Sequence, residues 1–267
     1  GAGERAGAAR PPAEPLPGSP VRAYSGGFRL LHQPVAALAD GRITALAAVA
    51  DWRGGPPQPS ADLSRWLLEE AVAAAGRRAR QGRGLPVRVP VGAPRLADRV
   101  LAPGAVQTLL DRHAVPPTAL TLLLRQADAC LHAPELLRRL TDLRTLGIAV
   151  CLDGYGCTGP SPAVLHRLPL TAVRLGRELV APLPERPALR TLTSGLLRLA
   201  DGEGLATSAE GVDLPGQAEE LRALGCAEAQ GRAFGEPLDE PELRETLAHA
   251  LPHGHVRPNS ETSLRLA

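Results

Sequence analysis

Seven histidines and four cysteines are the side chains best suited to nucleophilic, acid–base or soft-metal chemistry in this 267-residue chain. Their spacing supports none of it. His32, His113, His132, His166 and His249 are scattered, and none stands with a Ser or Cys in a nucleophile pattern; they read as surface or rim residues. His253 and His255 supply two ligands, short of a zinc site. Cys130, Cys151, Cys157 and Cys226 form no CxxC pair, and their flanks read as strands and helices. Buried free thiols in a reducing, cytoplasmic compartment follow. Gly154-Tyr155-Gly156-Cys157-Thr158-Gly159 has the glycine content of a phosphate cradle without the Lys or the spacing of a P-loop.

The elements that must position any site alternate in type. Phe28–Val35 and Ile43–Ala50 read as two strands joined at Asp40-Gly41, a hairpin signal. A helix over Leu63–Arg80 carries Leu63, Trp66, Leu67 and Ala71 on one face. Strand Val87–Val91, a helix around Ala105–His113 and the apolar strand Leu120–Leu124 follow. Pro134 opens the next helix and Gly147 closes it. Strands Ile148–Leu152 and Ala172–Leu175 lead to a helix over Pro187–Asp201. Strand Leu205–Ser208, helix Pro215–Leu224, strand Cys226–Ala229 and helix Glu240–Ala250 complete the series. Repeated βα units of this spacing predict a parallel sheet closed into a barrel, with a doubly wound open sheet as the alternative. The opening hairpin predicts one antiparallel strand. Residues 1–25, rich in Ala, Gly and Pro, read as a linker, 26–250 as the domain and 251–267 as a polar tail.

Composition excludes several classes. The formal net charge is +2, and only six aromatics occur, so neither a basic footprint nor a stacking platform for nucleic acid exists. No window approaches the ~18 consecutive apolar residues of a membrane span. All 30 basic residues are Arg, and Met is absent; a GC-rich coding sequence explains the first and a domain taken from a longer chain the second.

Four strings, each at the end of a predicted strand and in the right order, carry a resemblance. They are Gln33-Pro34-Val35 with Asp40-Gly41-Arg42-Ile43; Leu146-Gly147-Ile148-Ala149-Val150-Cys151-Leu152-Asp153-Gly154-Tyr155-Gly156; Ala209-Glu210-Gly211-Val212-Asp213; and Gly225-Cys226 with Gln230-Gly231 and Pro237-Leu238. Over roughly residues 26–240 the chain resembles the EAL-type cyclic-di-GMP phosphodiesterases. The resemblance implies a TIM-like (β/α)8 barrel with one antiparallel strand. Members of that family hydrolyse cyclic di-GMP with two divalent metals at the C-terminal mouth of the barrel, and Mg²⁺ or Mn²⁺ there requires clustered oxygen ligands.

At the positions the resemblance assigns to those ligands, most oxygens are replaced. The metal-binding Glu falls on Ala47, the Asn on Pro90, the next Glu on Leu123 and the following acid on Gln126. The paired Asp-Asp falls on Asp153-Gly154, the active-site Lys on Arg174 and the Asp beyond it on Gly176. Arg stays protonated, so it does not serve where the amine's pKa matters. Gln33, Asp153, Glu210 and Gln230 remain, with Asp213 in place of a Glu. No metal centre is expected, and Asp153 and Glu210 are at most weak Mg²⁺ or Mn²⁺ ligands. Arg174 is expected to pair with Asp153 or Glu210 where metal sits in the family.

The family's phosphate-binding Arg falls on Asp51, read as a solvated surface charge. The reversal costs a phosphate ligand ~2 kcal/mol after discounting for solvent, more than tenfold in affinity. The first crossover helix region is also shortened, to Arg53–Arg65. These readings imply a catalytically inactive module acting through a protein partner or as a homodimer, with helices Leu63–Arg80 and Pro187–Asp201 and loop Tyr155–Pro162 as candidate contacts. A non-hydrolysing receptor for cyclic di-GMP or another nucleotide is the second reading, and a weak phosphodiesterase the third.

Overall fold

The computed structural model describes residues 28–52, 61–92, 102–125, 134–157 and 165–249. The proposed linker 1–25 and tail 251–267, together with Arg53, Gln126, Cys130 and His132, lie outside them.

Eight strands close into a barrel in chain order: β1 Phe28–Ala37, β2 Ile43–Trp52, β3 Val87–Val91, β4 Leu120–Arg125, β5 Ala149–Tyr155, β6 Ala172–Leu175, β7 Ala206–Ala209 and β8 Glu228–Gln230. Strand β1 runs antiparallel to both its neighbours, β2 and β8, while β2 through β8 are mutually parallel. Closure decides between the two sheet types left open by the βα rhythm. The connecting helices are α1 Ala61–Arg80, α2 Pro103–His113, α3 Pro134–Thr145, α4 Arg177–Val180, α5 Pro187–Gly202, α6 Pro215–Ala223 and α7 Glu240–His249. Helix α4 has only four residues, too few for a periodic signal. Among the described residues no helix is long and apolar enough to cross a membrane. Helix α1 begins at Ala61, earlier than the expected Leu63, so Arg65 is helical and the crossover from β2 is residues 53–60, which are not described.

Each strand sends alternate residues outward to the helices and inward to the lumen. Val87, Val89 and Val91 of β3 join the main core, as do Leu122 and Leu124 of β4 and Val150 and Leu152 of β5. The opposite phase, Arg88, Leu123 and Cys151, therefore faces inward. Arg88 reaches Glu228 of β8, a strand three places removed round the barrel, and the pair crosses the lumen.

One histidine departs from the surface reading. His32 of β1 is 1% exposed, covered by α1 and α7, with Arg78 Nη1 3.4 Å from its Nε2 and Glu240 Oε2 3.9 Å from its Nδ1. Alternation puts Gln33 inside the barrel and His32 outside it, and the helices bury the outside. Burial, then the charges of Arg78 and Arg77, push the imidazole down to about 3 from its ordinary 6.5. The native state therefore keeps His32 neutral, while the unfolded chain takes up a proton below about pH 6.5. Stability is full above that pH and falls as pH drops toward 3, by up to about 1.4 kcal/mol per unit. His32→Gln is expected to flatten this acid limb in denaturant titrations at pH 4 to 7; an unchanged slope would contradict the assignment.

Candidate functional site

The C-terminal ends of β5 to β8 converge on Arg174. Strand pairing sets Asp153 beside Arg174 and Arg174 beside Ser208. The guanidinium, 6% exposed, uses all three nitrogens. Nε donates to Asp153 Oδ1 at 2.7 Å, Nη1 donates to Gln230 Oε1 at 2.9 Å, and Nη2 lies 3.1 Å from Glu210 Oε2. Gln230 Nε2 donates to Gln33 Oε1 at 2.9 Å, and Gln33 Nε2 donates to the Gly235 carbonyl at 2.9 Å. One continuous network thus ties β5, β6, β7, β8 and β1. Four of the five residues singled out as a ligand-binding remnant belong to it, with Arg174 at the centre.

The charges are matched to this arrangement. Burial pushes the Arg174 pKa down, but Asp153 and Glu210 more than reverse that, and the net direction is up. Burial, and secondarily the neighbouring Asp153 charge, raise Glu210 above the ordinary carboxylate range despite Arg174. Asp153 makes the shorter contact with the guanidinium, 2.7 Å against 3.1 Å for Glu210. Its oxygen and that of Glu210 are already engaged by a fixed cation, so a metal ion would have to displace the guanidinium. Among the described residues no group of three His, Cys, Asp or Glu side chains could hold a metal. These side chains do not fit a two-metal centre.

The remaining described positions that the resemblance assigns to ligands carry only hydrocarbon. Ala47 packs with Val35 and Ala45, and Leu123 is 2% exposed. Pro90 lies beside Leu123 in register. Asp213, the fifth remnant residue, stands apart from the Arg174 network. Its carboxylate accepts from Arg177 Nη1 at 2.7 Å, from Arg232 Nη2 at 3.3 Å and from the Arg232 backbone N–H at 3.1 Å. Asp51 is not a lone solvated charge: Arg29, directly opposite in the β1–β2 register, donates to its Oδ2 from Nη2 at 2.8 Å and from Nε at 3.3 Å.

Gly154 and Gly176 face each other. A Cβ on Gly176 would sit 3.3 Å from Gly154 Cα, 3.0 Å from Glu178 Oε2 and 2.5 Å from Cys157 Sγ. Burial, then the hydrogen bond the thiol donates to Glu178, push Cys157 up to about 11. The thiol is inert at neutral pH and occupies the space that a side chain at position 176 needs. Gly176→Asp is therefore expected to cost about 1–3 kcal/mol by overpacking, and the double change Gly176→Asp with Cys157→Ala to recover most of it. Additive losses in a double-mutant cycle would refute the steric coupling.

Sequence reasoning missed Arg29, Arg177, Arg232 and the Arg88–Glu228 pair. Arg88 carried a visible signal, as a charge in the inner phase of an otherwise apolar strand. Arg29 depends on the β1–β2 register, and Arg177 and Arg232 on how distant segments meet, for which the sequence holds no periodic sign.

Comparisons with known proteins agree with this architecture. An uncharacterized protein of Azorhizobium caulinodans is 28% identical over 85% of this chain and 34% of its own length. The cyclic di-GMP phosphodiesterase PA2567 of Pseudomonas aeruginosa is 27% identical over 83% of this chain and 40% of its own. The chain thus spans about a third to two fifths of these two relatives. Among solved structures, the EAL domain of Mycobacterium smegmatis DcpA superposes with a TM-score of 0.76 and 26% identity, covering 83% of this chain and 98% of that one. The Xanthomonas citri FimX EAL domain in complex with c-diGMP shares the fold, with a TM-score of 0.72 and 18% identity over 82% of this chain and 90% of that one. The EAL domain profile matches residues 22–237. The chain belongs to the EAL domain family.

Proposed function

We propose that this EAL domain is a non-hydrolysing regulatory or protein-interaction module of cyclic-di-GMP-related signalling in the cytoplasm. The observation that carries the reading is Arg174, whose three guanidinium nitrogens engage Asp153, Gln230 and Glu210. The hydrolytic chemistry of the family rests on two cations that activate water and neutralise the phosphodiester. Here one immobile organic cation holds the acidic groups, and Ala47, Pro90, Leu123, Gly154 and Gly176 add no oxygen. Displacing a buried, paired Arg costs about 3 kcal/mol or more, about a hundredfold in metal affinity. A protein partner or a second copy, bound on the barrel surface, is then the output of the domain.

The receptor reading draws support from Arg29. It keeps a guanidinium beside Asp51, so the mouth does not repel a phosphate as strongly as Asp51 alone would. Calorimetric titration with cyclic di-GMP, with and without Mg²⁺ or Mn²⁺, separates the two. No heat under either condition is the expected result for an interaction module. Tight, metal-independent binding lost in Arg29→Ala would favour the receptor. Turnover to the linear dinucleotide during the titration would overturn both.

A further inference from the structure

The segments that follow β6, β7 and β8 meet at Asp213, on the rim of the mouth, and bring two like charges together there. Arg177 Nη1 and Arg232 Nη2 donate to the same oxygen, Asp213 Oδ2, at 2.7 and 3.3 Å. The Arg232 backbone N–H takes Oδ1, so both carboxylate oxygens are committed. The Asp213 side chain is 10% exposed, while both arginines are exposed. Burial would raise the Asp213 pKa, but the Arg232 N–H and then Arg177 outweigh it and hold the group below the ordinary carboxylate range. One ionised carboxylate therefore anchors two guanidiniums from the protein side, and the trio keeps a positive charge in excess. A surface pair such as Arg190 with Glu220 balances itself.

Both arginines are also fixed in direction. The Arg177 stem lies flat on Gly211: a Cβ there would fall 2.9 Å from Arg177 Cβ and Cγ and 3.0 Å from its Nε. Arg232 is held at its backbone N–H and again at Nη2 by the one carboxylate. Arg177 Nε and Nη2 and Arg232 Nε and Nη1 have no acceptor among the described residues. Glu178, next in sequence to Arg177, is engaged by the Cys157 thiol. The Arg177 charge also acts on Glu210, so the trio borders the Arg174 network without joining it. Guanidiniums present paired donors that match a tetrahedral oxyanion, and two held in advance lose little freedom on binding one. The place agrees as well, because in (β/α)8 barrels the loops after strands 7 and 8 frequently form a phosphate site.

The geometry points to an oxyanion clamp: Arg177 and Arg232, oriented by Asp213, bind the phosphate group of a small phosphorylated ligand at the rim of the mouth, without a metal ion. This site goes beyond the reading of the domain as an interaction module. The two fail separately, because phosphate binding at the rim measures neither partner docking nor turnover.

The test titrates the full chain with inorganic phosphate and with methyl phosphate, in EDTA and at constant ionic strength, and follows phosphorus NMR line broadening. Saturable binding is expected, with a Kd on the order of 1 mM. Methyl phosphate should bind within a few-fold of the free ion, since its ester oxygen can face solvent; binding of the free ion alone would overturn the assignment to a phosphorylated ligand. Arg177→Gln and Arg232→Gln, both at exposed positions, should each weaken binding at least about tenfold. Arg190→Gln, at an exposed arginine paired elsewhere, should leave it unchanged. Asp213→Asn keeps an acceptor for the Arg232 N–H and adds positive charge, yet should weaken binding by releasing the two guanidiniums. Tighter binding in Asp213→Asn would mean simple charge attraction and would overturn the clamp. So would an Arg190→Gln loss as large as that of the other two, or no saturation at tens of millimolar phosphate.

Discussion

Arg174→Ala is expected to destabilise the domain by about 3–5 kcal/mol in chemical denaturation at neutral pH, because breaking a buried ion pair strands the surviving charge. Asp153 is 9% exposed and would lose its cation; Gln230 Oε1 would lose its donor, and with it the chain through Gln33 to Gly235 would loosen. The loss is a large share of the 5–15 kcal/mol that holds a typical domain. Arg174→Lys should fall between, since an ammonium cannot span three acceptors as a planar guanidinium does. The pH dependence has a definite sign. Glu210 is already held above the ordinary carboxylate range by burial and Asp153, and without Arg174 it rises further. A raised native pKa means that the variant gains relative to wild type as pH falls, so the deficit should shrink toward pH 4–5. An Arg174→Ala domain as stable as wild type would remove the structural role assigned to this residue.

Gly231→Ala is expected to cost about 3–4 kcal/mol, through a different mechanism. A Cβ at position 231 would fall inside contact distance of the N, C and O of Val212. Those are backbone atoms, and they are pinned: Val212 N–H donates to the Gln230 carbonyl at 3.1 Å, and Ala233 N–H donates to the Val212 carbonyl at 3.1 Å. A flexible side chain would move aside; interlocked loop backbones do not, so the penalty exceeds ordinary overpacking. The same clash would push apart the loops after β7 and β8, which carry Glu210 and follow Gln230. Gly104→Ala, where a Cβ meets nothing within 4 Å, is the matched control and should change stability by under about 1 kcal/mol.

The elements that were legible in the sequence owe it to burial on both faces and to end signals. Leu120–Leu124 reads as a strand because a parallel barrel strand is covered outside by helices and inside by the lumen. Pro134 and Gly147 bracket a helix because one fixes the entry and the other, at φ 93°, supplies the left-handed exit. The site was legible residue by residue wherever a motif string carried it, as with Asp153, Glu210 and Gln230, while Arg174, outside the strings, was reached only through the resemblance. What those residues do to one another was open: the sequence offered Asp153 or Glu210 as partner for Arg174, and the barrel supplies both.

Asp51 shows why the remainder was hidden. Its pairing with Arg29 follows from strand register, and the register shifts at a bulge between Val35 and Ala36 that the Asp40-Gly41 turn does not announce. His32 and Gln33 are adjacent in sequence but on opposite faces of one strand, and only the packing of α1 and α7 buries the outer one. Asp213 follows Glu210 by three positions in a loop, so no periodicity predicts that it turns to Arg177 and Arg232.

Purified chain incubated with cyclic di-GMP and saturating Mn²⁺ or Mg²⁺, with the linear dinucleotide resolved by chromatography, addresses the proposed loss of hydrolysis most directly. With Arg174 seated among Asp153, Glu210 and Gln230, the product should not rise above the level of a no-protein control. Metal-dependent turnover that disappears in Asp153→Asn would contradict the account, because it would mean that cations reach these carboxylates despite the guanidinium.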